Sequence, residues 1–180
     1  MRIIRPVLYL MIVLAGAFLI FLIYATVDDY RPDELISQEL VDQPDIIQDT
    51  SSLSLLIWNI GYAGLDASMD FFYDGGAQMR PDQEDVQLNM EGVVSTLLPY
   101  RDFDFVLLQE VDKNSKRSYY LDQYQRLQDE FKNYHSSFGK NYDVAFVPIP
   151  LKEPMGKVES GLMTISRHQP KQVDRYAFPG

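Results

Sequence analysis

The sequence predicts an α/β (α+β) domain, a mixed sheet packed under helices, preceded by one membrane-crossing helix. Three observations predict it. Residues 7–26 form an apolar run without a charge; two later apolar runs of strand length each end on a polar residue; and a helical stripe lies between them. The order β-α-β-α-β-β that follows combines a crossover with adjacent strands, the pattern of a mixed sheet with helices on it.

At about 1.5 Å per helical residue, roughly 20 apolar residues cross the hydrocarbon core. Arg2 and Arg5 precede the run, and Asp28, Asp29, Asp33 and Glu34 follow it. The positive-inside rule therefore places residues 1–6 in the cytoplasm, a single-pass anchor at 7–27 in the cell membrane, and the rest of the chain outside. A cleaved signal peptide also starts with basic residues. The run is longer than a usual signal core, and no Ala-x-Ala site stands directly before the acidic stretch, which favours an uncleaved anchor. A buried core helix fits poorly, because the apolar surface runs all the way round. The lipid bilayer, met through residues 7–27, is thus an expected partner, and no obligate protein partner is expected.

Residues 28–51 are acidic, carry Pro32 and Pro44, and have Arg31 as their one basic residue. They read as a tether with a helical turn around 35–40. The domain occupies 52–180. Leu-Ser-Leu-Leu-Ile-Trp-Asn-Ile at 53–60, closed by Gly61, suits a buried strand. Residues 62–80 have no clear period and read as a long functional or mobile loop. Val86, Met90, Val93, Val94, Leu97 and Leu98 make a helical stripe over 82–100, with Pro81, Asp82, Glu84 and Asp85 suiting its first turn. Residues 103–111 give a second buried strand, 119–131 a helix, and 142–149 and 161–166 two further strands. Another strand begins near the end of the chain.

Composition narrows the function. With no cysteine, disulfides and thiolate-held metals are excluded. The formal charge of -10, from 26 acidic and 16 basic residues, repels polyanions and disfavours generic nucleic-acid binding. Solvated faces and the acidic tether account for most of that charge.

Asn59 and Glu110 stand where the two apolar strands end, and strand–helix–strand units place ligand sites at such ends. A carboxylate after Phe-Val-Leu-Leu-Gln is costly to desolvate without a cation or donor, and a hard divalent metal satisfies it. The alternative is a strand-end Glu110 in solvent or paired with Lys113 or Arg117. Glu159, ahead of another strand, is a second candidate carboxylate, and Gly161 beside it signals close backbone approach or a bulge. Lys113, Lys116 and Arg117 form the densest basic group near the site, either a phosphate grip or local charge balance. In the loop, Met69, Phe71, Phe72 and Tyr73 read as an apolar tip packed beneath it, the alternative being a specificity lid or a lipid contact. His135 and His168 read as solvated or packed.

Trp58-Asn59-Ile60, Leu107-Leu108-Gln109-Glu110-Val111 and Glu159-Ser160-Gly161 with Ser166-Arg167, in this order, resemble the endonuclease/exonuclease/phosphatase superfamily, the DNase I-like fold. The similarity runs from about residue 53 onward. It is nearest to bacterial membrane-anchored members with a Gln-Glu-Val-Asp motif followed by Lys-Arg-Ser. The resemblance implies the N-terminal part of a four-layer α/β/β/α two-sheet sandwich. It implies Mg²⁺ (or Mn²⁺ or Ca²⁺) held by Glu110 with Asn59, and Asn59 also touching the scissile phosphate. Glu159 would orient a catalytic histidine, and Arg167, of the family's Ser-Arg pair, would be structural or, as the alternative, a phosphate contact; Arg117 is the substrate-contact candidate from the basic group. The substrate would be a phosphate ester, with lipid headgroup, nucleotide and nucleic acid all open. The family's Gly-Asp-x-Asn and Ser-Asp-His segments do not occur here. The expectation is therefore a truncated domain without its general base, inactive as it stands. The rival expectation is a membrane-anchored, non-catalytic binding module with a degenerate site.

Overall fold

The computed structural model describes residues 4–38 and 52–178. Helix α1 (Ile4–Val27) has no buried residue and is long and apolar enough to cross a membrane. Strand β1 (Leu35–Gln38) follows. Then come β2 (Leu55–Asn59), α2 (Gln83–Leu97), β3 (Phe105–Asp112), α3 (Gln123–Glu130), β4 (His135–Val147), β5 (Gly156–Ser166) and β6 (Val173–Tyr176).

The described strands form a mixed four-stranded sheet in the order β2-β3-β5-β4 and a two-stranded ribbon of β1 with β6. β2 and β3 are parallel, as a strand–helix–strand crossover through α2 requires, and β5 is antiparallel to both β3 and β4. α2 and α3 cover one face. Val86, Met90, Val94 and Leu97 of α2 and Leu127 of α3 pack on Val106, Leu108, Met163 and Ile165. The opposite face is open: Leu55, Ile57 and Leu162 are 53%, 66% and 48% exposed.

Several elements differ from the sequence reading for local reasons. Residues 35–38 do not form a helical turn. They pair with β6, whose edge supplies the hydrogen bonds that so short a helix could not make; residues 39–40 and Pro44 lie outside the described residues. The helix expected from 119 starts instead at Gln123, because Tyr119 and Tyr120 hold positive φ of 54° and 59°, which no α-helix accepts. Asp122 then caps it, accepting from the Gln125 N–H at 2.8 Å. β4 begins seven positions before its expected start at 142, in a polar His-Ser-Ser segment that reads as a turn but hydrogen-bonds along β5.

Candidate functional site

Because β2 and β3 are parallel, their carboxyl ends meet at one pole, with Asn59 opposite Gln109. Against β5, Leu108 pairs with Met163 and Val111 with Gly161, so two residues of β3 oppose the single Leu162. This is a β-bulge, and Glu110 is one of its two residues, at φ 54°. A left-handed non-glycine residue costs on the order of 1–3 kcal/mol and persists only where its surroundings hold it. Here the bulge returns Val111 to the core and turns Glu110 towards Asn59. Asn59 Nδ2 donates to Glu110 Oε1 at 2.9 Å, while Asn59 Oδ1 accepts the Gly61 N–H at 2.9 Å.

Glu110 lines an open cleft of about 400 Å³ with Tyr62, Tyr73, Arg117, Tyr142 and Ser160. Beneath it is a buried polar network. Asp112, fully buried, receives Arg117 Nε at 3.0 Å, Arg117 Nη2 at 2.8 Å and Ser118 Oγ at 2.9 Å. Gln123 bridges the Asp112 N–H at 3.0 Å and the Tyr62 carbonyl at 2.6 Å. The Arg117 guanidinium stacks 3.9 Å from the Tyr62 ring centroid. Burial works against the Arg117 charge, but the Asp112 hydrogen bonds outweigh it and hold the group above its ordinary value. Burial pushes the Tyr62 phenol up to about 12, opposed by Arg117 and helped by Asp112 and Glu110, so it stays a neutral donor. Tyr62 Oη has no hydrogen-bond partner among the described residues.

The expected site residues thus divide. Asn59 and Glu110 come together. Arg117 lines the same cleft, but two of its nitrogens are engaged by Asp112, and Nη2 also reaches Ser160 Oγ at 3.2 Å. Glu159 does not line the cleft. Its neighbour Ser160 does, and strand alternation sends Glu159 to the other side, 3.6 Å from Lys140 Nζ. Arg167 lies beyond the opposite end of β3, its Nη2 2.7 Å from Asp104 Oδ1, where His168 Nε2 also sits at 2.8 Å. The basic group disperses as well: Lys113 lies over the Tyr124 and Phe138 rings, and Lys116 reaches the Pro154 carbonyl at 3.4 Å. Asp112 and Tyr62 are the site-forming residues that the sequence reading missed. Asp112 was visible in the Gln-Glu-Val-Asp motif, but strict alternation gives no hint that a bulge precedes it.

The residues fit a divalent cation in part. Glu110 offers one carboxylate in a water-accessible cleft, the donor type Mg²⁺ takes while keeping several waters. Asn59 Nδ2 faces Glu110 and its Oδ1 accepts the Gly61 N–H, which leaves one lone pair of that oxygen for a cation. Its amide also positions the carboxylate. Among the described residues no group of three or more His, Asp or Glu side chains gathers.

No family model and no curated protein matches the chain. Among solved structures, one similar chain is an endonuclease/exonuclease/phosphatase from Beutenbergia cavernae DSM 12333. The match has 21% identity and a TM-score of 0.37, and covers 64% of this chain and 26% of that one.

Proposed function

We propose that this chain carries the metal-binding pole of a divalent-metal-dependent phosphoesterase held at the extracytoplasmic face of the cell membrane. The Asn59–Glu110 hydrogen bond, formed at a bulge where two parallel strands end beside an open cleft, carries the reading. The three motif segments that resemble the endonuclease/exonuclease/phosphatase superfamily support it. In this reading Glu110 would hold Mg²⁺, which would supply charge neutralisation to a phosphate ester and its leaving oxygen. Asn59 fixes the carboxylate. The general base comes from outside this pair.

Mn²⁺ binding by the full chain, followed by electron paramagnetic resonance, tests the assignment without requiring turnover. Glu110→Gln should abolish binding, and Glu159→Gln should leave it intact. Equal Mn²⁺ binding by the wild type and Glu110→Gln would remove the assignment. A second reading, an anchored binding module without catalysis, is favoured by the internal engagement of Asn59 and Arg117. A wild-type chain that takes up no Mn²⁺ would select it.

A further inference from the structure

α1 and β4 lie side by side and run in opposite directions. Lys140 Nζ is 5.0 Å from the Tyr30 ring centroid, and Phe146 meets the Phe21 ring edge-on at 6.4 Å. Between these contacts, Tyr142 and Val144 line a narrow groove with Tyr24 and Asp28. Moving from Tyr142 to Phe146 along β4 therefore means moving down α1, from its acidic end into its apolar run.

That run must occupy the hydrocarbon core nearly end to end, because about 20 helical residues are needed to cross it. Phe21 lies five residues inside the outer end at Thr26, so it sits roughly 7–8 Å below the boundary at about 1.5 Å per residue. Phe146, in contact with it, shares that depth. The β4–β5 turn follows directly after this stretch of β4. It presents Ile149 and Leu151, 49% and 89% exposed, and Phe146 itself is 45% exposed. A depth of about 5–10 Å is where apolar side chains of interfacial segments settle. Lys152, beside Leu151, has the aliphatic stem that lets an ammonium reach back to the headgroups.

We propose that the β4–β5 hairpin tip, led by Leu151 with Ile149 and Phe146, is a second membrane contact. It inserts into the leaflet beside α1 at the boundary of headgroups and acyl chains. Tyr142 lines both the α1 groove and the Glu110 cleft, so the cleft opens at headgroup level. The proposal rests on α1 as a span and is independent of the phosphoesterase reading.

The chain has no cysteine, so single cysteines can be labelled with an environment-sensitive fluorophore in the full chain, reconstituted into phosphatidylcholine vesicles. Leu151→Cys probes the tip at an exposed position that the fold does not depend on. Lys132→Cys, exposed beyond the other end of β4, is the aqueous reference. Leu14→Cys, in mid-helix, checks the span. The label at 151 should be blue-shifted, lose most of its emission to lipids with a nitroxide high on the acyl chain, and resist iodide. The label at 132 should do the reverse. Iodide quenching at 151 equal to that at 132, with the label at 14 quenched by deep nitroxide, would overturn the hairpin contact alone. Iodide quenching at 14 would remove the span and the proposal together.

Discussion

Asp104 and Glu110 flank the two ends of β3 and illustrate two ways to place a carboxylate. Asp104 accepts from the Ser54 N–H and hydroxyl at 2.8 Å each, and from Arg167 at 2.7 Å, with His168 Nε2 at 2.8 Å. The Ser54 backbone bond first, then His168, the Ser54 hydroxyl and Arg167, hold its carboxyl well below the usual carboxylate range. A depressed folded pKa gives stability that is fully present above the unfolded value of about 4 and lost as pH falls towards the folded one. Denaturant midpoints at pH 7 and pH 3 should thus fall further for the wild type than for Asp104→Asn, which starts lower at pH 7. Equal drops would show that Asp104 is not among the groups lost to acid. Glu110, by contrast, is partnered by a neutral amide and faces a cleft. Both it and Asn59 were legible in the sequence, because a polar residue closing an apolar strand stands out. Tyr62 and Asp112 were not, since their burial comes from a bulge and a long-range stack that no local pattern encodes.

At the scale of elements, the loop after β2 shows why the boundaries of regular segments were readable and the irregular one was not. The helical stripe over 82–100 gave the start of α2 to within one residue and ran three past its end at Leu97, whereas residues 62–80 are ordered by contacts distant in sequence. Phe71 and Phe72 pack on Met79, Met155 and Val158, and Gln123 of α3 grips the Tyr62 carbonyl. The aromatic tip therefore packs beneath the loop, with Tyr73 left 56% exposed at the cleft. Gly64 is part of that packing. A Cβ there would stand 2.3 Å from Tyr62 Cε2, on a ring pinned beneath Arg117 and unable to yield. Gly64→Ala should cost about 1–3 kcal/mol by overpacking. Gly92→Ala, on the exposed face of α2 with nothing within 4 Å, should gain about 0.5–1 kcal/mol from helix propensity. Urea unfolding of the two variants checks both signs, and a neutral Gly64→Ala would show that the Tyr62 stack is free to move.

For the molecule as a whole, the asymmetry of the main sheet governs stability. A strand over residues 161–166 was legible, but which of its faces is covered was not, because both faces carry apolar side chains. The structure puts α2 and α3 over Met163 and Ile165, 1% exposed each, and leaves Leu162 48% exposed beside them. Two adjacent residues of one strand should then respond very differently to the same truncation. Met163→Ala should cost about 2–5 kcal/mol, the range for a fully buried side chain whose cavity cannot collapse. Leu162→Ala removes contacts on one side only and should cost less than about 1 kcal/mol. Trp58, the single tryptophan, packs against the covered core and reports its loss, so urea unfolding followed by its fluorescence measures both variants. A Leu162→Ala cost equal to that of Met163→Ala would mean that the second face is covered in solution. The sheet would then be the inner layer of a larger sandwich.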